Sequence, residues 1–84
     1  MPAVSRFGDQ TSKRREWRVV SAGRHYRVVC EWNIGSLRME WSVEVSAKAR
    51  TTEGWHWRRI TGLWLIAAVR EYENVQHINE QRQR

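Results

Sequence analysis

The stretch LRMEWSVEVSAKAR, residues 37–50, alternates without a break. Odd positions carry Leu37, Met39, Trp41, Val43, Val45, Ala47 and Ala49; even positions carry Arg38, Glu40, Ser42, Glu44, Ser46, Lys48 and Arg50. A period of two sends successive side chains to opposite faces, so the stretch is a β-strand with one buried face and one wet one. Residues 24–33 before it place Tyr26, Val28, Cys30 and Trp32 on their even positions. Gly35 and Ser36 lie between the runs, and a Gly leading a two-residue loop is the signature of a type II′ hairpin. Pairing Ile34 with Leu37 sets Trp32 against Met39, Cys30 against Trp41, Val28 against Val43 and Tyr26 against Val45. Every apolar side chain then falls on one face, and a slip of one residue turns one strand's apolar set over. The other face sets Arg27 against Glu44, and Glu31 against Glu40 with Arg38 diagonal to that like-charged pair.

Working outward, residues 16–21 read as a short strand that Ala22-Gly23 turns back. Pairing Ser21 with Arg24 sets Val19 beside Tyr26 and Trp17 beside Val28. Ala22 suits a two-residue primed turn poorly, so a loop of another length is expected there. Downstream, residues 51–54 read as a turn and 55–60 as a fourth strand. Ala49 then lies near Trp55 and Ala47 near Trp57, with both Trp side chains on the apolar face. Thr61 is expected to N-cap a helix over residues 63–78. Its Leu65, Ala68, Val69, Tyr72 and Val75 share one face, while Arg70, Glu73, Asn74 and His77 face water. Ala67-Ala68 and the polar helix formers that follow favour helix over a fifth, buried strand at residues 63–69. The predicted fold is α+β: a four-stranded antiparallel meander with one C-terminal helix on one face (ββββα). Residues 1–15 read as a flexible basic arm, 16–78 as the single domain and 79–84 as a frayed tail.

Composition narrows the function. A chain of 84 residues holds one small core. Lys and Arg number 15 against 9 Asp and Glu, a net charge of +6, and six residues are Trp. No apolar run approaches the roughly 20 residues of a membrane span, and because residues 1–15 hold no apolar stretch a secretory leader is not expected. Cys30 stands alone, so no intrachain disulfide forms, and a cytoplasmic protein with no membrane partner is the expectation. Cys30, His25, His56 and His77 lack metal-ligand spacing, and no nucleophile elbow, phosphate loop or zinc-protease motif occurs. Neither metal, cofactor nor catalytic residue is therefore expected, and the protein reads as non-enzymatic, with Cys30 as buried filler.

Two kinds of partner fit what remains. Arg24, His25, Lys48, Arg50, His56 and Arg58 gather at one end of the open face, away from the glutamates, and Lys13, Arg14 and Arg15 add the basic arm. Such a patch is suited to the phosphates of DNA or RNA with weak sequence preference. No aromatic residue is placed on that face, so base stacking is not expected. The second kind is a protein. A sixteen-residue helix spans about 24 Å and a fourteen-residue strand about 46 Å, so the helix leaves the hairpin tip bare. Trp32, Ile34, Leu37 and Met39 there form an expected interface, with a homodimer its commonest form. The alternative occupant is a host protein, occluded through the Trp-rich surface in the manner of a small phage-type inhibitor.

Overall fold

The computed structural model describes residues 1–46 and 56–83. Its elements are β1 (Ala3–Phe7), β2 (Arg14–Ser21), β3 (Arg24–Asn33), β4 (Arg38–Ser46), β5 (Trp57–Ile60) and α1 (Leu63–Arg82). The five strands form one antiparallel sheet in chain order, and the helix packs on one face, so the fold is α+β. The expected register of β2 with β3 and of β3 with β4 is the one observed, but Ile34 and Leu37 fall in the turn beyond the last pair. Strand β2 begins at Arg14, so that Arg14 and Arg15, expected in the arm, pair with Glu31 and Cys30. Their inward side chains Trp17, Val19, Tyr26, Val28, Cys30, Val43 and Val45 meet Leu65 and Val69 of α1 to make the core. Each such aliphatic side chain, removed from water, contributes about 2 kcal/mol.

The sheet has five strands where the sequence predicts four. Residues 3–7, expected in a flexible arm, pair with β2 as an edge strand. Val4 lies opposite Val19 and packs on the core, while Arg6 reaches the helix. Gln10 Nε2 donates to the carbonyls of Phe7 and Glu16, both at 2.9 Å, and so closes the β1–β2 connection. The strand escapes a periodicity reading because its two large apolar residues, Val4 and Phe7, point to opposite faces.

The two predicted hairpin turns that fall among the described residues differ in detail, and the turn expected at residues 51–54 lies outside them. Ala22 and Gly23 have φ of 50° and 73°, the two positive values of a type I′ turn. The two-residue loop forms in spite of Ala22. At the β3–β4 tip the paired residues end at Asn33 and Arg38. Asn33 Oδ1 accepts hydrogen bonds from the backbone N–H of Gly35 (2.8 Å) and Ser36 (3.1 Å), and the positive φ of 54° falls on Leu37, not on Gly35. The register survives because the apolar faces of two long strands fix it, whatever the turn.

The pairing of β5 departs further. Ser46 lies opposite Trp57, Val45 opposite Arg58 and Val43 opposite Ile60, one residue away from expectation. The slip brings Ile60 onto the core and turns Trp57 to the opposite face. It also sets Gly62 so close to the core that an added Cβ would lie 3.1 Å from Leu65 and 3.2 Å from Val43. Gly62, not Thr61, is the N-cap, and the helix continues to Arg82, past the predicted end and through the tail expected to fray. Trp55, Ala47 and Ala49 lie outside the described residues.

Candidate protein-interaction face

The helix crosses one face of the sheet from β4 to β1. At its start, Leu65 and Val69 are fully buried and the ring of Trp64 meets Tyr26 edge-on at 5.7 Å. At mid-helix, Glu73 turns inward instead of facing water. One carboxylate oxygen accepts from Arg6 Nε (2.8 Å) and the Trp17 indole N–H (3.1 Å), the other from Arg6 Nη2 (3.0 Å) and Arg15 Nη2 (2.5 Å). The Arg6 guanidinium, helped by Trp17 and Arg15, holds the Glu73 carboxyl at about 2, below its ordinary 4.5. This carboxylate ties the helix to β1 and β2 at once.

Beyond that clamp the same face is bare. Trp32, Met39 and Trp41 keep 45%, 37% and 37% of their surface exposed, and Ile34 and Leu37 at the tip 84% and 69%. Trp41 stacks on Trp17 with centroids 5.5 Å apart and planes 18° from parallel, so its position is fixed although its outer surface is wet. Between this stack and the flank of the helix lies a cleft of about 270 Å³ lined by Arg15, Trp17, Cys30, Trp41, Arg70, Glu73 and Asn74. Burial pushes the Cys30 thiol up, which keeps it protonated and unreactive. Arg70 forms no hydrogen bond or ion pair with the described residues.

The edge of β4 beside this face is also unfilled. Strand β5 pairs with β4 at residues 43–46, so among the described residues no strand occupies the outer edge of residues 38–42. The tip that carries the exposed residues is internally braced. Ser36 Oγ (2.8 Å) and Asn33 Nδ2 (2.9 Å) donate to Glu40, and these donors, with Arg38, lower its carboxyl pKa. Glu31 and Glu40 do face each other, as expected, and Arg14 and Arg38 each come within 3.5 Å of one of them.

The face away from the helix is a set of matched charges. Buried Glu16 is held by Arg14 (3.0 Å) and Arg18 (3.0 Å), and Glu44 by Arg27 (2.6 Å). Contrary to expectation this face carries aromatic rings. Arg18 lies 3.9 Å from the Phe7 centroid and 4.8 Å from that of Trp57, and Arg27 lies 4.9 Å from Trp57. The rings are covered by guanidinium groups of the chain itself, which accounts for how two Arg side chains lie directly opposite each other on β2 and β3.

The predicted phosphate-contacting residues do not form one patch. Arg14 and Arg15 flank Glu16 and Glu73 on opposite faces, each in ion pairs, and Lys13 lies beside them at the start of β2. Arg24 and His25 lie at the other end of the sheet, about 23 Å away along seven residues of strand. His56 and Arg58 share that second end, but the register of β5 turns Arg58 to the helix side. Lys48 and Arg50 lie outside the described residues. By contrast Trp32, Ile34, Leu37 and Met39 fall together. Trp41 and Arg70 belong with them and were not expected there: Trp41 reads as core from its alternation, and Arg70 as a solvated helix charge. The length mismatch between helix and strand is the sequence signal that marks Trp41.

Among the described residues no helix is long and apolar enough to cross a membrane, and no three His, Cys, Asp or Glu side chains cluster as metal ligands. No protein-family model, curated protein or solved structure matches the chain.

Proposed function

We propose that this protein is a non-catalytic binding module that captures a partner protein through the helix-side face of the β3–β4 hairpin. One observation carries the reading: the stripe of Trp32, Met39 and Trp41 stays exposed on a braced hairpin, on the same face that the helix seals a few residues away. Large aromatic and Met side chains held in place are the residue types that dominate binding energies. Leu37 supports it, because an apolar residue with φ of 54° at an exposed tip is strained without any gain to the core. The protein then acts by occupancy, covering a surface its partner needs. A second reading, contact with nucleic-acid phosphates, draws on the net charge of +6 and on Arg24 and Arg58, which form no ion pair with the described residues.

Immobilised protein exposed to nuclease-treated lysate at high salt separates the two. Wild type is expected to retain one defined protein, and the Trp32→Ser/Met39→Ser variant to lose it. Retention that vanishes with nuclease, and with Arg24→Ala/Arg58→Ala, would replace the protein partner by nucleic acid.

A further inference from the structure

The proposed interaction face has a chemistry that narrows its occupant. Among the described residues no strand pairs with the outer edge of residues 38–42 of β4, and edges of this kind accept an added strand through main-chain hydrogen bonds. A strand laid there sends alternate side chains to the helix side, where they meet the Trp32–Met39–Trp41 stripe and the cleft beneath α1. The charge in that cleft is not neutralised. Its carboxylate, Glu73, is already engaged by Arg6, Arg15 and the Trp17 indole, whereas Arg70 has no partner among the described residues and Asn74 adds an amide beside it. The chain as a whole carries +6, which draws anionic partners and opposes close approach of a second copy.

Resting on the reading of this face as a protein-binding surface, we infer that its occupant is an extended acidic segment of a partner protein. The segment adds as a strand beside residues 38–42. One large apolar side chain lies on the Trp stripe, and a carboxylate two positions away meets Arg70. The spacing of two follows from the strand geometry, since only alternate side chains reach the helix side. A carboxylate–guanidinium contact of this kind is stronger than a neutral hydrogen bond and selects acid over amide or base.

The test uses a blocked, threonine-rich peptide with phenylalanine and aspartate two positions apart, titrated into isotope-labelled full-length protein. Binding is expected to shift the indole N–H signals of Trp32 and Trp41 and to slow hydrogen exchange at residues 38–42. Lysine in place of the aspartate, Arg70→Ala in the protein, or N-methylation of the peptide backbone should each weaken binding about tenfold. Equal affinity for the lysine and aspartate peptides, or unchanged exchange at residues 38–42, overturns the inference. So does a dimer of the protein alone whose interface protects those same residues, because the edge is then filled by a second copy. Lysate capture that depends on Trp32 and Met39 but not on Arg70 or the strand edge leaves the protein-binding reading standing and overturns the acidic strand alone. Failure of both peptide binding and lysate capture overturns both.

Discussion

Trp17 and Trp32 point to the same face of neighbouring strands, yet one is sealed and the other half exposed. Trp17 has the helix above it, its indole N–H bound to Glu73 and its ring stacked on Trp41. Trp32 has a hairpin that holds its place, but no helix or strand among the described residues covers it. The two halves are built from the same alternation of apolar and polar residues, and only the path of one helix separates them. The contrast shows that period-two alternation marks which side chains share a face, not which are buried. The covered half is built for stability. The bare half carries an exposed apolar tip braced by Asn33, Ser36 and Glu40, and the proposed interaction rests on that combination.

Core truncation should break the comparison most sharply. Leu65→Ala is expected to cost about 3 kcal/mol, because the side chain is fully buried between α1 and the sheet. Trp32→Ala, a larger deletion, should cost under about 1 kcal/mol. Urea unfolding of the two variants checks this, and a Trp32 loss as large as that of Leu65 would mean the hairpin is covered after all.

The clamp at Glu73 comes next. Glu73→Gln should lower stability by about 2 kcal/mol at neutral pH. The wild-type protein carries the matching pH dependence. Because the folded carboxyl titrates at about 2 and an ordinary one at 4.5, the contribution is fully present above 4.5. It drains away as the pH falls from there toward about 2. Thermal unfolding of wild type and Glu73→Gln across this range should converge at the acid end.

The smallest effect concerns the two residues in left-handed conformations, one in each half. Ala22→Gly and Leu37→Gly should each relieve strain and raise stability by up to about 1 kcal/mol. Ala22→Gly should leave partner binding unchanged, whereas Leu37→Gly should weaken it. Equal binding by both variants would remove Leu37 from the interface.

What the sequence determined by itself is the central three strands. From Glu16 through β3 and β4 the cross-strand register follows from a one-sided apolar pattern, and that pattern held even where the predicted turn chemistry did not, at Ala22 and at Gly35; the extension of β2 back to Arg14 was not announced by it. The bare hairpin tip was also legible, since helix rise and strand rise differ by a factor of about two per residue. Tertiary structure decided the rest. Strand β1 exists because Val4 finds Val19 and Arg6 finds Glu73, 67 residues apart, and no local period announces either contact. The register of β5 was set by Ile60 and Gly62 fitting against Val43 and Leu65. That fit sent Trp57 to the guanidinium groups of Arg18 and Arg27 and away from the apolar face. Ion pairing had the same character. Arg14, Arg15 and Glu73 read as surface charges, and only the folded chain showed which were engaged with one another and that Arg70 was left without a partner among the described residues. Charge in a sequence is a total, whereas a partner sees the part that folding has not already neutralised.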